Sequence, residues 1–362
     1  MSFQKNDLEE LVAAISPVDR QAMAQAQERL DSLTKPLGAL GLLEEMAKRL
    51  CGIQGSLEPA VTRKTILTFA GDHGVVVEGV SAVPAEVTQQ MVANFLAGGA
   101  GVNVLANHVG AEVRVIDVGV AVPMSAAGLI EAKVRPGTAN IRLGPAMSEA
   151  EALAALGVGV RVAADAIADG AQILGTGEMG IGNTTSAAAL FAAFLGLPAG
   201  QITGRGTGIS EQALSHKIRV VEDAVVVNRE RCRTPLSTLA ALGGLEIAAI
   251  TGMVLEACRQ RRPVVVDGFI SSAAALTAIE MEPMVRDYCF FSHMSAEQGH
   301  RLFFEKLGIT PILHLGLRLG EGTGAALAMN LIDAGAKILT QMATFAEAGV
   351  SSGEILDCHG KA

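Results

Sequence analysis

The chain of 362 residues has no tryptophan and a single tyrosine, and aromatic side chains make up only 3% of it. It carries 28 Lys and Arg against 37 Asp and Glu, for a formal net charge of −9. Few rings to stack on bases and no basic cluster exclude a nucleic-acid binder. An anionic small molecule is still admissible, because local arginines and backbone amides bind anions against the global charge. The five cysteines, at 51, 232, 258, 289 and 358, are scattered and form no C-x-x-C pair. That argues against a disulfide framework or a zinc site and fits a reducing cytoplasm. No apolar run approaches the ~20 residues of a membrane span. The opening MSFQKNDLEELVAAI is too acidic and polar for a signal peptide.

Apolar residues and glycine are what the chain has in quantity. Half of it is hydrophobic and 41 residues are glycine, the profile of an α/β enzyme with many tight strand-to-helix turns. Residues 7–60 read as helical, broken at Thr34-Lys35-Pro36-Leu37-Gly38, where Pro36 suits the first turn of a new helix. Apolar, often β-branched runs follow at residues 64–70, 113–118, 171–174, 264–266, 288–292 and 312–315, most ending at a glycine and separated by helical stretches. Near-continuous apolar strands alternating with helices predict an α/β fold: a mostly parallel, about six-stranded, Rossmann-like sheet with helices on both faces. Ser148 and Glu151 make a capping box opening a helix that Asp169-Gly170 ends. Residues 333–348 read as helical and 354–362 as loosely ordered. The expected division is a small helical domain from residues 1–60 and 333–362, and an α/β domain over residues 61–332.

Three glycine runs are the candidate chemistry. The first is Gly175-Thr176-Gly177-Glu178-Met179-Gly180-Ile181-Gly182-Asn183-Thr184-Thr185, between an apolar segment and an alanine-rich helix. Strand, glycine loop and helix start present bare N–H groups to an anion. The second is Gly204-Arg205-Gly206-Thr207-Gly208, and the third runs from Gly316 through Gly320-Glu321-Gly322-Thr323-Gly324. The first contains a literal G-x-G-x-x-G, but no acid stands about 20 residues on, and no loop closes with G-K-[ST]. This disfavours a nicotinamide-dinucleotide oxidoreductase, and the pattern alone points to phosphate or nucleotide binding, with a non-catalytic nucleotide sensor among the alternatives. The glycines alternatively serve only tight turns and close packing. Glu321 reads either as an acid at a helix N-terminus, worth ~0.3–1 kcal/mol, or as a general base whose proton affinity burial raises. Glu178 has the same two readings. Lys217 and Arg205 flank the second loop and are candidates to neutralise phosphate. Asp72-His73 has no partner at metal-ligand spacing, the other histidines are dispersed, and no metal or cofactor is expected.

Taken together, Ala70-Gly71-Asp72-His73-Gly74-Val75, Glu78-Gly79-Val80-Ser81, the first two glycine runs, Ser292-His293-x-Ser295-Ala296-Glu297 and Gly320-Glu321-Gly322-Thr323-Gly324 resemble the nicotinate-nucleotide–dimethylbenzimidazole phosphoribosyltransferase family over nearly the full chain. The resemblance implies a homodimeric enzyme of cobalamin lower-ligand synthesis. Such an enzyme moves the 5-phosphoribosyl group of nicotinate mononucleotide to 5,6-dimethylbenzimidazole with inversion at C1′. It further implies Glu321 as catalytic base and Glu178 as a second acid. Gly177, Gly180, Gly182, Asn183, Thr184, Gly204, Arg205, Gly206, Lys217, Ser295 and Gly320 would contact the nucleotide, and Ser81 and Gln90 the benzimidazole.

Overall fold

The computed structural model describes residues 3–351, so the expectation for residues 354–362 lies outside the described residues. Six strands form one all-parallel sheet: β1 (Lys64–Gly71), β2 (Ala111–Gly119), β3 (Leu129–Glu131), β4 (Ile173–Met179), β5 (Val264–Val266) and β6 (Cys289–Phe291). Their order is β3-β2-β1-β4-β5-β6. All eight residues of β1 are buried, which is why its sequence is mostly apolar rather than alternating, with Lys64 at its start paired to Asp333. The strand order reverses between β1 and β4, and an open parallel sheet has its ligand crevice at the carboxyl ends beside such a reversal.

The sheet departs from expectation at three places. Residues 312–315 are not a strand; only Leu313 bridges His293, and Leu315 is 56% exposed. The sixth strand is instead Leu129–Glu131, a half-exposed edge segment with no apolar run to announce it. β4 also runs on through Gly175, Thr176, Gly177 and Glu178, so only residues 180–182 are loop before the Asn183–Leu195 helix. These strand glycines are there for close approach: a Cβ on Gly177 would collide with the backbone carbonyl oxygen of Glu321.

The helices follow their caps. Ser148 Oγ accepts from the Glu151 N–H at 3.2 Å, and Glu151 Oε2 accepts from the Ser148 N–H at 2.8 Å, opening Glu149–Ala168 as the sequence predicts. This helix packs on Leu245–Arg259 so tightly that a Cβ on Gly159 would overlap the Ala249 carbonyl. The N-terminal region is helical over Lys5–Ala13, Arg20–Ser32 and Leu42–Gln54. Pro36 begins a series of turns rather than a helix, because Gly41, at φ 53°, caps the helix that starts at Leu42. The expected helix over residues 333–348 is the second half of Thr323–Gln341 followed by Phe345–Ala348. Apart from the main core, Ala22, Ala26, Leu30, Leu33, Ala47, Cys51 and Leu339 form a second apolar cluster that joins the two ends of the described chain.

Candidate active site

A cavity of about 400 Å³ opens at the carboxyl ends of the strands, between the end of β4, the loop 180–182, the segment before Thr323–Gln341 and the loop around Gly206. A larger cavity of about 800 Å³, lined by Leu8, Met147, Leu236 and Met281 among others, contains none of the glycine runs. The smaller one is the candidate site because it gathers the acids and the helix N-termini that ligand chemistry needs.

The last residues of β4 deliver Glu178, which is 4% exposed. Its Oε2 accepts from Asn183 Nδ2 in the first turn of the Asn183–Leu195 helix. Burial, with the charges of Asp267 and Glu246 adding to it, pushes the Glu178 carboxyl up to about 8. Glu321 reaches the same cavity from the N-terminus of Thr323–Gln341. Its backbone is left-handed, at φ 66°, which only Arg261 shares among the described non-glycine residues. The conformation is pinned from outside: Thr68 Oγ1 of β1 donates to the Glu321 carbonyl at 3.1 Å, and Gly322 N–H donates to Asp267 at 3.2 Å. Glu321 Oε2 accepts from the Val102 N–H at 3.1 Å, at the start of the Gly101–Val109 helix. Burial raises the Glu321 carboxyl, and the Val102 and Gly101 amides oppose that rise. Asp267, just past β5, accepts from Ala325 N–H at 3.0 Å as well, and burial pushes it up to about 7. Two carboxyls with raised proton affinity, Glu178 and Glu321, therefore line one cavity, and the buried Asp267 stands behind them on the start of Thr323–Gln341.

The other end of the cavity is built for an anion. Lys217 is 1% exposed on the Glu211–Asn228 helix; its Nζ donates to Thr184 Oγ1 at 2.8 Å, and burial lowers it to about 8. Gly206 N–H donates to a carboxylate oxygen of Glu297 at 3.0 Å, and the other Glu297 oxygen is buried without a partner. The buried lysine and the start of the 13-residue Asn183–Leu195 helix thus converge on Thr184, an arrangement suited to an anion, while the Gly206 N–H is engaged by the Glu297 carboxylate.

Of the sequence candidates, Ser81, Glu178, Gly180, Gly182, Asn183, Thr184, Gly206, Ser295, Gly320 and Glu321 line this cavity. Lys217 reaches it through Thr184, and Gly177 stands behind it against Glu321. Gly204 and Arg205 line an adjoining surface cavity that shares Glu297 and Arg318 with the first. The Arg205 guanidinium turns to Glu211 and the Ile209 carbonyl. Gln90 is exposed and outside the lining, because the Val87–Leu96 helix presents Val87 and Met91, one turn apart, to the cavity instead. His73 is a hydrogen-bonded structural histidine, with Nε2 2.6 Å from Glu246 and Nδ1 3.0 Å from Ser186.

Sequence reasoning passed over Asp267 and Glu246. Asp267 had a signal: Val264-Val265-Val266-Asp267-Gly268 repeats the strand, acid and glycine pattern of Ala70-Gly71-Asp72-His73-Gly74. Glu246 had none, being one acid within the mostly apolar Leu245–Arg259 helix. No group of three or more His, Cys, Asp or Glu side chains among the described residues is placed to hold a metal ion.

Comparison with known proteins adds three findings. A family model described as phosphoribosyltransferase (DBI_PRT) matches residues 15–350. The nicotinate-nucleotide–dimethylbenzimidazole phosphoribosyltransferase of Geotalea uraniireducens is 59% identical over 350 residues, covering 96% of this chain and 99% of the relative. The protein of that name from Chlorobium chlorochromatii is 58% identical over 348 residues, covering 96% and 98%. The crystal structure of CobT from Thermus thermophilus superposes with a TM-score of 0.89 at 51% identity, covering 92% of this chain and 100% of that one.

Proposed function

This chain belongs to the DBI_PRT phosphoribosyltransferase family, and on that premise we propose that it transfers the 5-phosphoribosyl group of nicotinate mononucleotide to 5,6-dimethylbenzimidazole. The products are nicotinate and α-ribazole 5′-phosphate, the nucleotide of the cobalamin lower ligand. The observation that carries this reading is one cavity with Thr184, backed by the buried Lys217, and the Asn183–Leu195 helix start at one end and Glu321 and Glu178 near the other.

The donor's pyridinium nitrogen is already cationic, so nicotinate leaves with a neutral ring and needs no proton. One base therefore suffices, unlike the paired carboxyls of glycoside hydrolysis. A benzimidazole nitrogen attacks C1′ from the face opposite nicotinate, inverting the β-glycoside to an α-glycoside. Glu321 takes the proton from the second ring nitrogen as positive charge builds there, and its raised proton affinity suits it to that task. Burial raises the Glu178 carboxyl to about 8, and the cationic donor ring draws it back toward the carboxylate, making it the counter-ion. The phosphate, held far from the reacting bond, supplies binding energy for alignment. Ser81, whose hydroxyl lies 3.3 Å from Thr207 Oγ1, stands with Val83, Val87 and Met91 on the acceptor side.

We assign the protein to a reducing cytoplasm, on its scattered cysteines, and to a homodimer, on its family membership. No helix of the described residues is long and apolar enough to cross a membrane. We also take the helices of residues 1–60, with the described part of 333–362, as a small helical domain, a reading that the second apolar cluster supports. The deciding experiment mixes the two substrates with the protein and looks for α-ribazole phosphate by mass spectrometry. Absence of product refutes the assignment. Sedimentation at the chain's own 37.3 kDa, rather than twice that, refutes the dimer.

A further inference from the structure

Three histidines are buried beside the cavity, and two of them have both ring nitrogens engaged. His73 bonds Ser186 and Glu246. His300 accepts from the Ser295 N–H at 2.9 Å through Nδ1 and meets Ser272 Oγ at 2.9 Å through Nε2. His293 differs. It is 1% exposed, its Nδ1 lies 2.9 Å from Ser292 Oγ, and its Nε2 has no hydrogen-bond partner among the described residues. That nitrogen is not among the buried side-chain atoms without a partner, so it opens on the cavity, where a bound molecule can reach it.

The neighbouring bonds fix the tautomer. Ser292 Oγ also lies 2.8 Å from the Asp267 carbonyl, which only accepts. The single hydroxyl proton goes to that carbonyl, so both contacts are made only when His293 Nδ1 carries the hydrogen. Nε2 is then a bare lone pair. It borders Gly268, where an added Cβ would stand 3.5 Å from it, and both Gly268 and His293 line the cavity. The site therefore displays a fixed acceptor in search of a donor.

The substrates of the proposed reaction offer few donors. The phosphate, as a dianion, and the nicotinate carboxylate only accept, and the benzimidazole N–H is taken by Glu321. The ribose hydroxyls remain. We propose that His293 accepts a hydrogen bond through Nε2 from a ribose hydroxyl of the nucleotide donor, a sugar-orienting contact that rests on the function proposed above.

The test uses His293→Asn and His293→Gln. The Asn amide keeps a donor for Ser292 near the Nδ1 position and removes the outer acceptor; the Gln amide restores an acceptor oxygen farther out. By calorimetry, His293→Asn is expected to weaken nicotinate mononucleotide binding roughly 5- to 100-fold, the range for an orphaned hydrogen-bonding group. His293→Gln should recover part of the loss, and KM for dimethylbenzimidazole should not move. Nucleotides lacking the 2′- or the 3′-hydroxyl complete the cycle: one of them should bind the unaltered protein more weakly, yet lose nothing further in His293→Asn. Unchanged nucleotide binding in His293→Asn, or losses that simply add, overturns the proposal. If neither variant folds by circular dichroism, equal binding of both deoxynucleotides and the parent to the unaltered protein overturns it. An unaltered protein that binds no nicotinate mononucleotide overturns this proposal and the functional reading together. One that turns over normally while His293→Asn also binds normally overturns this proposal alone.

Discussion

Glu321→Gln separates proton acceptance from every other task of that side chain. Glutamine keeps a carbonyl oxygen for the Val102 N–H, which Glu321 Oε2 accepts at 3.1 Å. The left-handed backbone at φ 66° and its anchor to Thr68 are unchanged, so the loop geometry should survive. The amide cannot take a proton. A positioned general base contributes about 10²- to 10⁴-fold, or ~3–5.5 kcal/mol at 1.36 kcal/mol per decade. The turnover number with both substrates saturating is expected to fall by that factor, with nucleotide affinity within about twofold of the parent. Stability should respond in the opposite sense. The folded protein raises the Glu321 carboxyl, so the unaltered chain binds more protons folded than unfolded once pH passes the ordinary carboxylate range, and it loses stability as pH rises through the raised value. Glutamine has no such loss. Melting temperatures should then match at pH 4, and the variant should melt no lower than the parent at pH 8. The reactions are to be followed by chromatography of α-ribazole phosphate in single-turnover mode, which isolates chemistry from product release. Turnover within about threefold of the parent would refute Glu321 as the base. A collapse of binding with turnover would show that the carboxylate holds the loop rather than moves a proton.

Glu178→Gln should change the pH dependence of stability. The folded chain keeps the Glu178 proton from the ordinary carboxylate range up to about 8, so wild-type stability declines through that window, by on the order of a few kcal/mol at most. The urea-unfolding advantage of Glu178→Gln should therefore grow from pH 5 to pH 8, and a flat difference would sink the cause assigned here. Gly177→Ala puts a Cβ into the Glu321 carbonyl and 2.5 Å from Thr68 Oγ1, so melting temperature and turnover should fall together, with a cost of ~1–3 kcal/mol. Gly144→Ala, which meets nothing within 4 Å, is the control and should leave both unchanged.

The sheet was legible where burial on both faces wrote itself into the sequence. β1, β5 and the second half of β2 are largely apolar because both faces of the sheet there are covered. The Glu149–Ala168 helix was legible because a cap is local chemistry, complete within four residues. Edge segments were not: Leu129–Glu131 pairs on one side only and has no apolar run, while residues 312–315 have the run without the pairing. At the site, glycine spacing located Glu178 and Glu321 and left open whether the glycines serve anion binding or close packing. Gly175 and Gly177 are strand residues that let the Thr323–Gln341 helix and Glu321 approach, and the helix start beyond Gly182 supplies the anion end. Asp267 and Glu246 bond neighbours far away in sequence; the strand, acid and glycine pattern marks Asp267, but nothing local marks Glu246. Helical phase leaves Gln90 exposed and outside the cavity lining, and a doublet of glutamines does not say which face turns inward.

The left-handed backbone at Glu321 makes position 321 a marker of employment. A side chain there costs of order 1 kcal/mol or more that glycine would not. On the role proposed for Glu321, it is the task of the carboxylate that keeps a side chain there. A descendant of this chain that no longer transferred anything would gain stability by drifting to glycine or asparagine at 321, while keeping the sheet, the caps and most of its resemblance intact. Overall similarity would still suggest an enzyme, and this single residue would tell a working copy from a retired one.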